Sequence, residues 1–177
     1  MAVLVEAISV VVKRASVNRL YPGGWDAFAR QCPSSTLCAD GHVARIGFMT
    51  PTDVRGYIDQ LRSLGFTFNE DDSDIMVVDQ LHGPTSRGGW LECGHINLGG
   101  HEVAACRLAG DTETALLTPE GWCYDDSLSE RPGFAAAGEL DSKFEFVRHE
   151  NGVDVYRDKG RQAERSTWVG PSCREGR

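Results

Sequence analysis

The first third of the chain alternates between strand-like and helix-like hydrophobic patterns. Residues 3–12 are nearly all apolar and mostly β-branched, which predicts one strand buried on both faces near the middle of a sheet. Apolar residues recur with helical spacing from Trp25 to Cys32, and a shorter helix is predicted to begin at Ser16. The sequence Pro22-Gly23-Gly24 predicts a break between these two helices.

The best-defined unit covers residues 42–68. Alternating apolar positions at 44, 46 and 48 predict a strand with one fully buried face. Thr50 is a suitable N-cap, Pro51 suits the first position of a helix, and Gly65 ends the helical pattern. Residues 66–68 return to a strand-like pattern. The sequence therefore predicts a β-α-β unit.

Two short turns predict hairpins in the rest of the chain. Gly99-Gly100 separates residues 90–97 from 101–108, and Asn151-Gly152 separates residues 144–148 from 153–157. We expect an α+β fold, in which two or three helices from the N-terminal third pack on one face of a mostly antiparallel sheet. Residues 1–160 are expected to form a single compact domain, followed by a polar, frayed tail at 161–177.

The acidic residues are concentrated in the middle of the chain. The 177 residues carry a formal net charge of −8. Residues 50–141 hold five basic and seventeen acidic side chains, whereas the segments on either side each carry a net charge of +2. The densest run is Glu70-Asp71-Asp72 with Asp74, and a second pair is Asp125-Asp126. These charges form either a solvated face that maintains solubility or a patch that captures a basic partner.

Charge and hydropathy also limit the partners and the compartment. The acidic balance disfavours nucleic acid, and no apolar run reaches the ~20 residues needed to span a bilayer. Six cysteines are spread without a tight framework, and no basic residue precedes the apolar N-terminal stretch. We therefore expect a cytoplasmic protein with reduced thiols and no cofactor.

The hairpin at 90–108 offers one candidate metal site. If Gly99-Gly100 form its turn, five possible ligands share a face of the hairpin: Cys93, His95, Asn97, Glu102 and Cys106. Thiolate, imidazole and carboxylate groups form a reasonable zinc set. The alternative is that the two cysteines are small core residues of a strand.

A second candidate metal pair comes from a family resemblance. The stretch HVARIGF, the helix that ends in LRSLGF, and the later WLE resemble one module of the vicinal oxygen chelate, or glyoxalase-like, family. Modules of that family have the order β-α-β-β-β, with a metal-binding histidine or glutamine early and a glutamate late. The resemblance implies His42 and Glu92 as metal ligands.

No motif in the sequence identifies a catalytic site. Cys123 is followed by Asp125 and Asp126, which would raise the thiol pKa and so disfavour a nucleophile. The sequence favours an acidic binding protein over an enzyme, for example an immunity-type inhibitor of a partner with a basic surface. The expected contact residues are Asp71, Asp72, Asp74, Asp125, Asp126 and Trp90. The alternative is a small metal-dependent enzyme with a glyoxalase-like module that uses His42 and Glu92.

Overall fold

The structure, a computed structural model, describes residues 1–125 and 127–130 with their side chains. It also describes the backbone of three later strands, at 144–150, 153–158 and 164–167. The chain divides into two compact units, Met1–Pro132 and Gly133–Arg177. Within these described residues there are three helices and twelve strands, which confirms the predicted α+β class.

All three helices lie in the first 63 residues, as predicted: Arg14–Leu20 (α1), Gly24–Gln31 (α2) and Pro51–Ser63 (α3). The strands of the first unit are Ala2–Leu4 (β1), Ile8–Lys13 (β2), Cys38–Ala39 (β3), Val43–Phe48 (β4), Ile75–Asp79 (β5), Gly83–Pro84 (β6), Leu91–Leu98 (β7), His101–Leu108 (β8) and Leu116–Leu117 (β9). The strands of the second unit are Phe144–Glu150 (β10), Val153–Asp158 (β11) and Glu164–Thr167 (β12).

The first unit consists of three layers. Its central sheet has the strand order β3-β4-β2-β5-β6, and a second sheet has the order β7-β8-β1-β9. On one face of the central sheet, Val10, Val12 and Ile46 pack against side chains from all three helices, including Phe28 and Leu61. The opposite face packs against the second sheet. The helices therefore cover one face of the central sheet, and the second sheet covers the other.

The predicted single strand at 3–12 is wrong, because the structure divides it between the two sheets. β1 lies in the second sheet and β2 in the middle of the central sheet. Ala7 lies between them with φ 56°, a left-handed conformation in which a strand cannot continue. Both strands have a buried, apolar sequence, so hydrophobicity alone did not reveal the break.

Helix α3 begins and ends as predicted. The Oγ1 atom of Thr50 accepts a hydrogen bond from the backbone N–H of Asp53, Pro51 occupies the first turn, and Gly65 follows the helix with φ 94°. The third part of the predicted β-α-β unit is shorter than expected, since Phe68 forms only an isolated parallel bridge with Ile75. After α3 the chain returns to the central sheet as β5. Strand β2 lies between β4 and β5 and is antiparallel to both.

Both predicted hairpins are present. β7 and β8 pair around Gly99-Gly100, with Leu98 opposite His101. β10 and β11 pair antiparallel across positions 151–152, with Glu150 opposite Val153. β11 also pairs with β12, which lies inside the range expected as a polar tail. Among the described residues, no helix is long and apolar enough to cross a membrane.

The packing of α3 predicts a large effect of truncating Leu61, whose side chain is fully buried against the central sheet. Leu61→Ala should lower the free energy of unfolding by about 2–5 kcal/mol through lost burial and the cavity left behind. Leu81→Ala is the matched control, because Leu81 is 56% exposed and should cost less than about 1 kcal/mol. Urea denaturation measures both, and equal losses would show that α3 does not contribute to the core as described.

Candidate functional site

The predicted acidic run lies in the loop between α3 and β5. Glu70, Asp71 and Asp72 are exposed, and the Asp72 side chain has 94% of its surface accessible. Asp72 forms an ion pair with Lys13, in which Oδ1 and Nζ are 2.6 Å apart. Glu70 and Asp71 form no ion pair with the described residues. These two carboxylates are therefore available to a partner.

Asp74 does not belong to this exposed group. Its side chain is 9% exposed and accepts hydrogen bonds from the hydroxyl of Ser16, from the backbone and hydroxyl of Thr67, and from Arg19. Burial acts to raise its pKa, but these hydrogen bonds and the charge of Arg19 outweigh burial and hold the pKa below its usual value. The inclusion of Asp74 among the partner-binding residues needs correction, because this carboxylate ties α1 to the end of α3 and the start of β5.

A second group of carboxylates surrounds the α-amino group of Met1. The amine nitrogen lies 2.5 Å from Asp111, 3.3 Å from Asp40 and 3.3 Å from Glu113. The hydrogen bond to Asp111 is the main reason that the amine pKa is raised to about 10. The three carboxylates and His42 line an open cavity of about 460 Å³. This part of the surface therefore already holds one cationic amine.

Contacts through Lys13 and Trp90 place the two acidic groups at the same end of the molecule. The Lys13 ammonium that pairs with Asp72 also lies over the Trp90 ring, 5.1 Å from its centroid. The backbone of Trp90 accepts a hydrogen bond from Ala109, which lines the cavity. We call this region the acidic end and define it by its partly or fully exposed carboxylates: Glu70, Asp71, Asp72, Asp111 and Glu113.

Trp90 lies at the acidic end, whereas Asp125 does not. Trp90 is half-buried, packs against the core between the sheets, and has a buried Nε1 atom without a hydrogen-bond partner in the described structure. Asp125 is exposed and lies close to Trp122, which donates a hydrogen bond to Glu6. Glu6 precedes the first residue of β2, whereas Lys13 is its last. The length of that six-residue strand, about 17–20 Å, separates the two regions. Asp126 lies outside the described residues.

The structure places the two residues of the predicted metal pair on different sheets. His42 precedes β4 in the central sheet, whereas Glu92 lies in the second sheet and binds Arg107 and the backbone of Gly110. The hairpin register is as predicted, with Cys93 opposite Cys106 and Asn97 opposite Glu102. The described residues contain no group of three or more suitable ligands.

Arg45 is an internal charge that the sequence analysis did not single out. Only 1% of its surface is exposed, and it lies in β4 on the face that packs against the second sheet. Its guanidinium donates to the hydroxyl of Ser9 and to the carbonyls of Thr36 and Glu6, at 2.7, 3.2 and 2.5 Å. Burial lowers its pKa. The sequence did contain a signal for this buried charge: Arg45 lies in a strand whose other residues are apolar on both faces.

Glu6 connects Arg45 to the segment at 122–125 and 127–130. Its carbonyl accepts from Arg45, while its carboxylate accepts from the Trp122 indole and from the backbone and hydroxyl of Ser129. Gln80 adds a parallel connection, since its side chain binds the backbone of Ala7 and of Leu128. This end of the first unit is therefore held by internal hydrogen bonds that involve Glu6 and Gln80.

Comparison of the chain with models of protein families, with curated proteins and with solved structures finds no match.

The environment of Asp74 predicts a pH-dependent loss of stability. Asp74→Asn should cost about 1–3 kcal/mol near neutral pH, because the buried donors around it lose an ionised acceptor. A carboxylate whose pKa is lowered in the folded state stabilises the fold at pH values above its unfolded-state pKa of about 4. That contribution is lost as the pH falls through its folded-state pKa. The difference between wild type and variant should therefore shrink in acid.

Urea denaturation across a pH series measures this difference. Asp71→Asn is the control, because Asp71 is exposed and should change stability by no more than about 0.5 kcal/mol. An Asp74→Asn variant as stable as the control at neutral pH would contradict the assigned role.

Proposed function

We propose that this protein binds another protein that has a basic surface, and that the acidic end is the docking surface. One observation carries the proposal: the contacts of Lys13 with Asp72 and Trp90 gather two acidic groups, distant in sequence, at one end of the fold.

The balance of charge at the acidic end supports this proposal. Lys13 is paired with Asp72, while Glu70 and Asp71 are exposed and form no ion pair with the described residues. Glu113, with 64% of its side chain accessible, faces both solvent and the amine of Met1. Exposed charges of one sign attract an oppositely charged surface and increase the rate of encounter.

Trp90 supplies an apolar group beside these charges. Its ring is half-buried, and its buried Nε1 is a donor without a described partner. Tryptophan is enriched among the residues that contribute most to protein interfaces. A carboxylate rim around such a residue fits a small interface in which charge steers the approach and the ring contributes affinity. An immunity-type inhibitor, which covers the active site of a basic toxin, is one form of this function.

The experiment measures binding of a fluorescent oligolysine peptide, used as a probe of basic surfaces, over a range of salt concentrations. The test variant is Glu70→Gln with Asp71→Asn, because neither side chain forms an ion pair in the described structure. We expect the dissociation constant to rise about threefold to thirtyfold at low salt, since each exposed charge contributes about 0.3–1 kcal/mol. The effect should decrease as salt screens the charges.

The matched control removes the same charge from the opposite end. Glu102→Gln with Asp125→Asn also neutralises two exposed carboxylates, so it changes the net charge equally. The proposal requires the control to bind the peptide more tightly than the test variant. Equal weakening of the two variants would show that net charge alone attracts the probe and would remove the basis for the acidic end as a site.

A further inference from the structure

Cys93 and Cys106 lie directly opposite each other on the neighbouring strands β7 and β8. The structure shows which kind of antiparallel pair they form. Ala109 donates a backbone hydrogen bond to Trp90, so positions 90 and 109 form a hydrogen-bonded pair. Hydrogen-bonded and non-hydrogen-bonded pairs alternate along an antiparallel ladder. Three positions further along, Cys93 and Cys106 form a non-hydrogen-bonded pair.

The opposite side of β8 gives the same result. The backbone N–H of Val5 donates to the carbonyl of Ala104 at 2.8 Å, so Ala104 directs its backbone groups towards β1. Cys106 lies two residues further along β8, so it also directs its backbone groups towards β1, where it is paired with Val3. Its backbone groups therefore point away from Cys93.

This type of pair has the geometry that a disulfide requires. The Cα atoms of a non-hydrogen-bonded pair are about 4.5 Å apart, and the side chains project from the same face. Disulfides span Cα separations of about 4.4–6.8 Å. Both cysteines are free in the structure. Closing the bond therefore requires rotation of two side chains and no movement of the backbone.

The two thiols differ in access and in acidity. Cys106 is 1% exposed and packs between the sheets, whereas Cys93 is half-buried on the edge strand. Both residues line a cavity of about 390 Å³, which a small molecule can enter. A hydrogen bond from the Cys106 thiol is the main cause of a lowered pKa for Cys93, and the same interaction raises the pKa of Cys106. Cys93 is therefore the more reactive nucleophile of the pair.

We propose that Cys93 and Cys106 are a redox-active dithiol, which hydroperoxides convert into a reversible disulfide across the β7–β8 hairpin. The Cys93 thiolate attacks one oxygen of hydrogen peroxide, the O–O bond breaks, and the released hydroxide takes up a proton to leave as water. The Cys106 sulfur then attacks the sulfur of the Cys93 sulfenic acid. The S–S bond forms, the S–O bond breaks, and the Cys106 proton leaves with the hydroxyl as a second water.

Cys38 is the competing partner in this region, because it also lies in the core between the sheets. Its thiol is directed towards the carbonyl of Leu4, with a sulfur-to-oxygen distance of 4.0 Å. It belongs to β3 of the central sheet, so no backbone pairing holds it opposite Cys106. The proposal therefore assigns the bond to Cys93 and Cys106 alone.

Peptide mapping of the full-length protein, with and without hydrogen peroxide, tests the proposal. Trypsin cleaves after Arg87 and Arg107, so residues 88–107 form one peptide that contains both cysteines. After oxidation, this peptide should lose two hydrogen atoms in mass and resist alkylation. Further cleavage after Glu102 should leave 93–102 joined to 103–107 until a reductant is added. Dithiothreitol should restore both free thiols in the folded protein.

Two variants keep the result interpretable. In Cys106→Ser, the sulfenic acid on Cys93 has no thiol opposite it, so dimedone should label Cys93. Cys38→Ala should leave the 93–106 bond intact. The proposal is overturned if both cysteines remain alkylatable after treatment, if Cys93 is only over-oxidised, or if Cys106 is linked to Cys38.

Discussion

The buried guanidinium of Arg45 is the constraint on which the arrangement of the two sheets depends. A charge in this position must be satisfied by acceptors, because its transfer from water into a protein interior is costly. The acceptors come from β2, from the loop before β3 and from the residue before the β1–β2 break. Gly47 leaves the necessary space, since a Cβ there would lie 2.7 Å from Nη2 of Arg45. One side chain thus fixes the point where the chain leaves one sheet for the other.

The two ends of the first unit differ in how their polar side chains are used. At the Glu6 end, the carboxylate of Glu6 and the amide of Gln80 are used by residues 122, 128 and 129, so polar groups are satisfied internally. At the acidic end, the carboxylates of Glu70 and Asp71 are exposed and form no ion pair with the described residues. The cysteine pair lies between these ends on the second sheet. Under the proposed function, recognition uses the acidic end, whereas the Glu6 end stabilises the fold.

The elements that the sequence predicts correctly are those whose determining interactions are local. The cap of α3 by Thr50 and the register set by Gly99-Gly100 depend on residues within a few positions of each other. The break at Ala7 was missed because the contact beside it, from Arg45 to the carbonyl of Glu6, comes from a residue remote in sequence. Asp74 was grouped with its exposed neighbours for a similar reason: its partners Ser16 and Arg19 lie more than fifty residues away. The acidic end also depends on contacts between distant segments.

The most direct test of this account is the stability of Arg45→Lys, which keeps the positive charge but cannot donate in three fixed directions. We expect urea denaturation to show a loss of more than about 2 kcal/mol, because buried acceptors at Ser9, Thr36 and Glu6 lose their donors. Arg55→Lys, on the exposed face of α3, is the control and should change stability by no more than about 0.5 kcal/mol. An Arg45→Lys protein as stable as this control would contradict the view that the buried guanidinium holds the β1–β2 break against the central sheet.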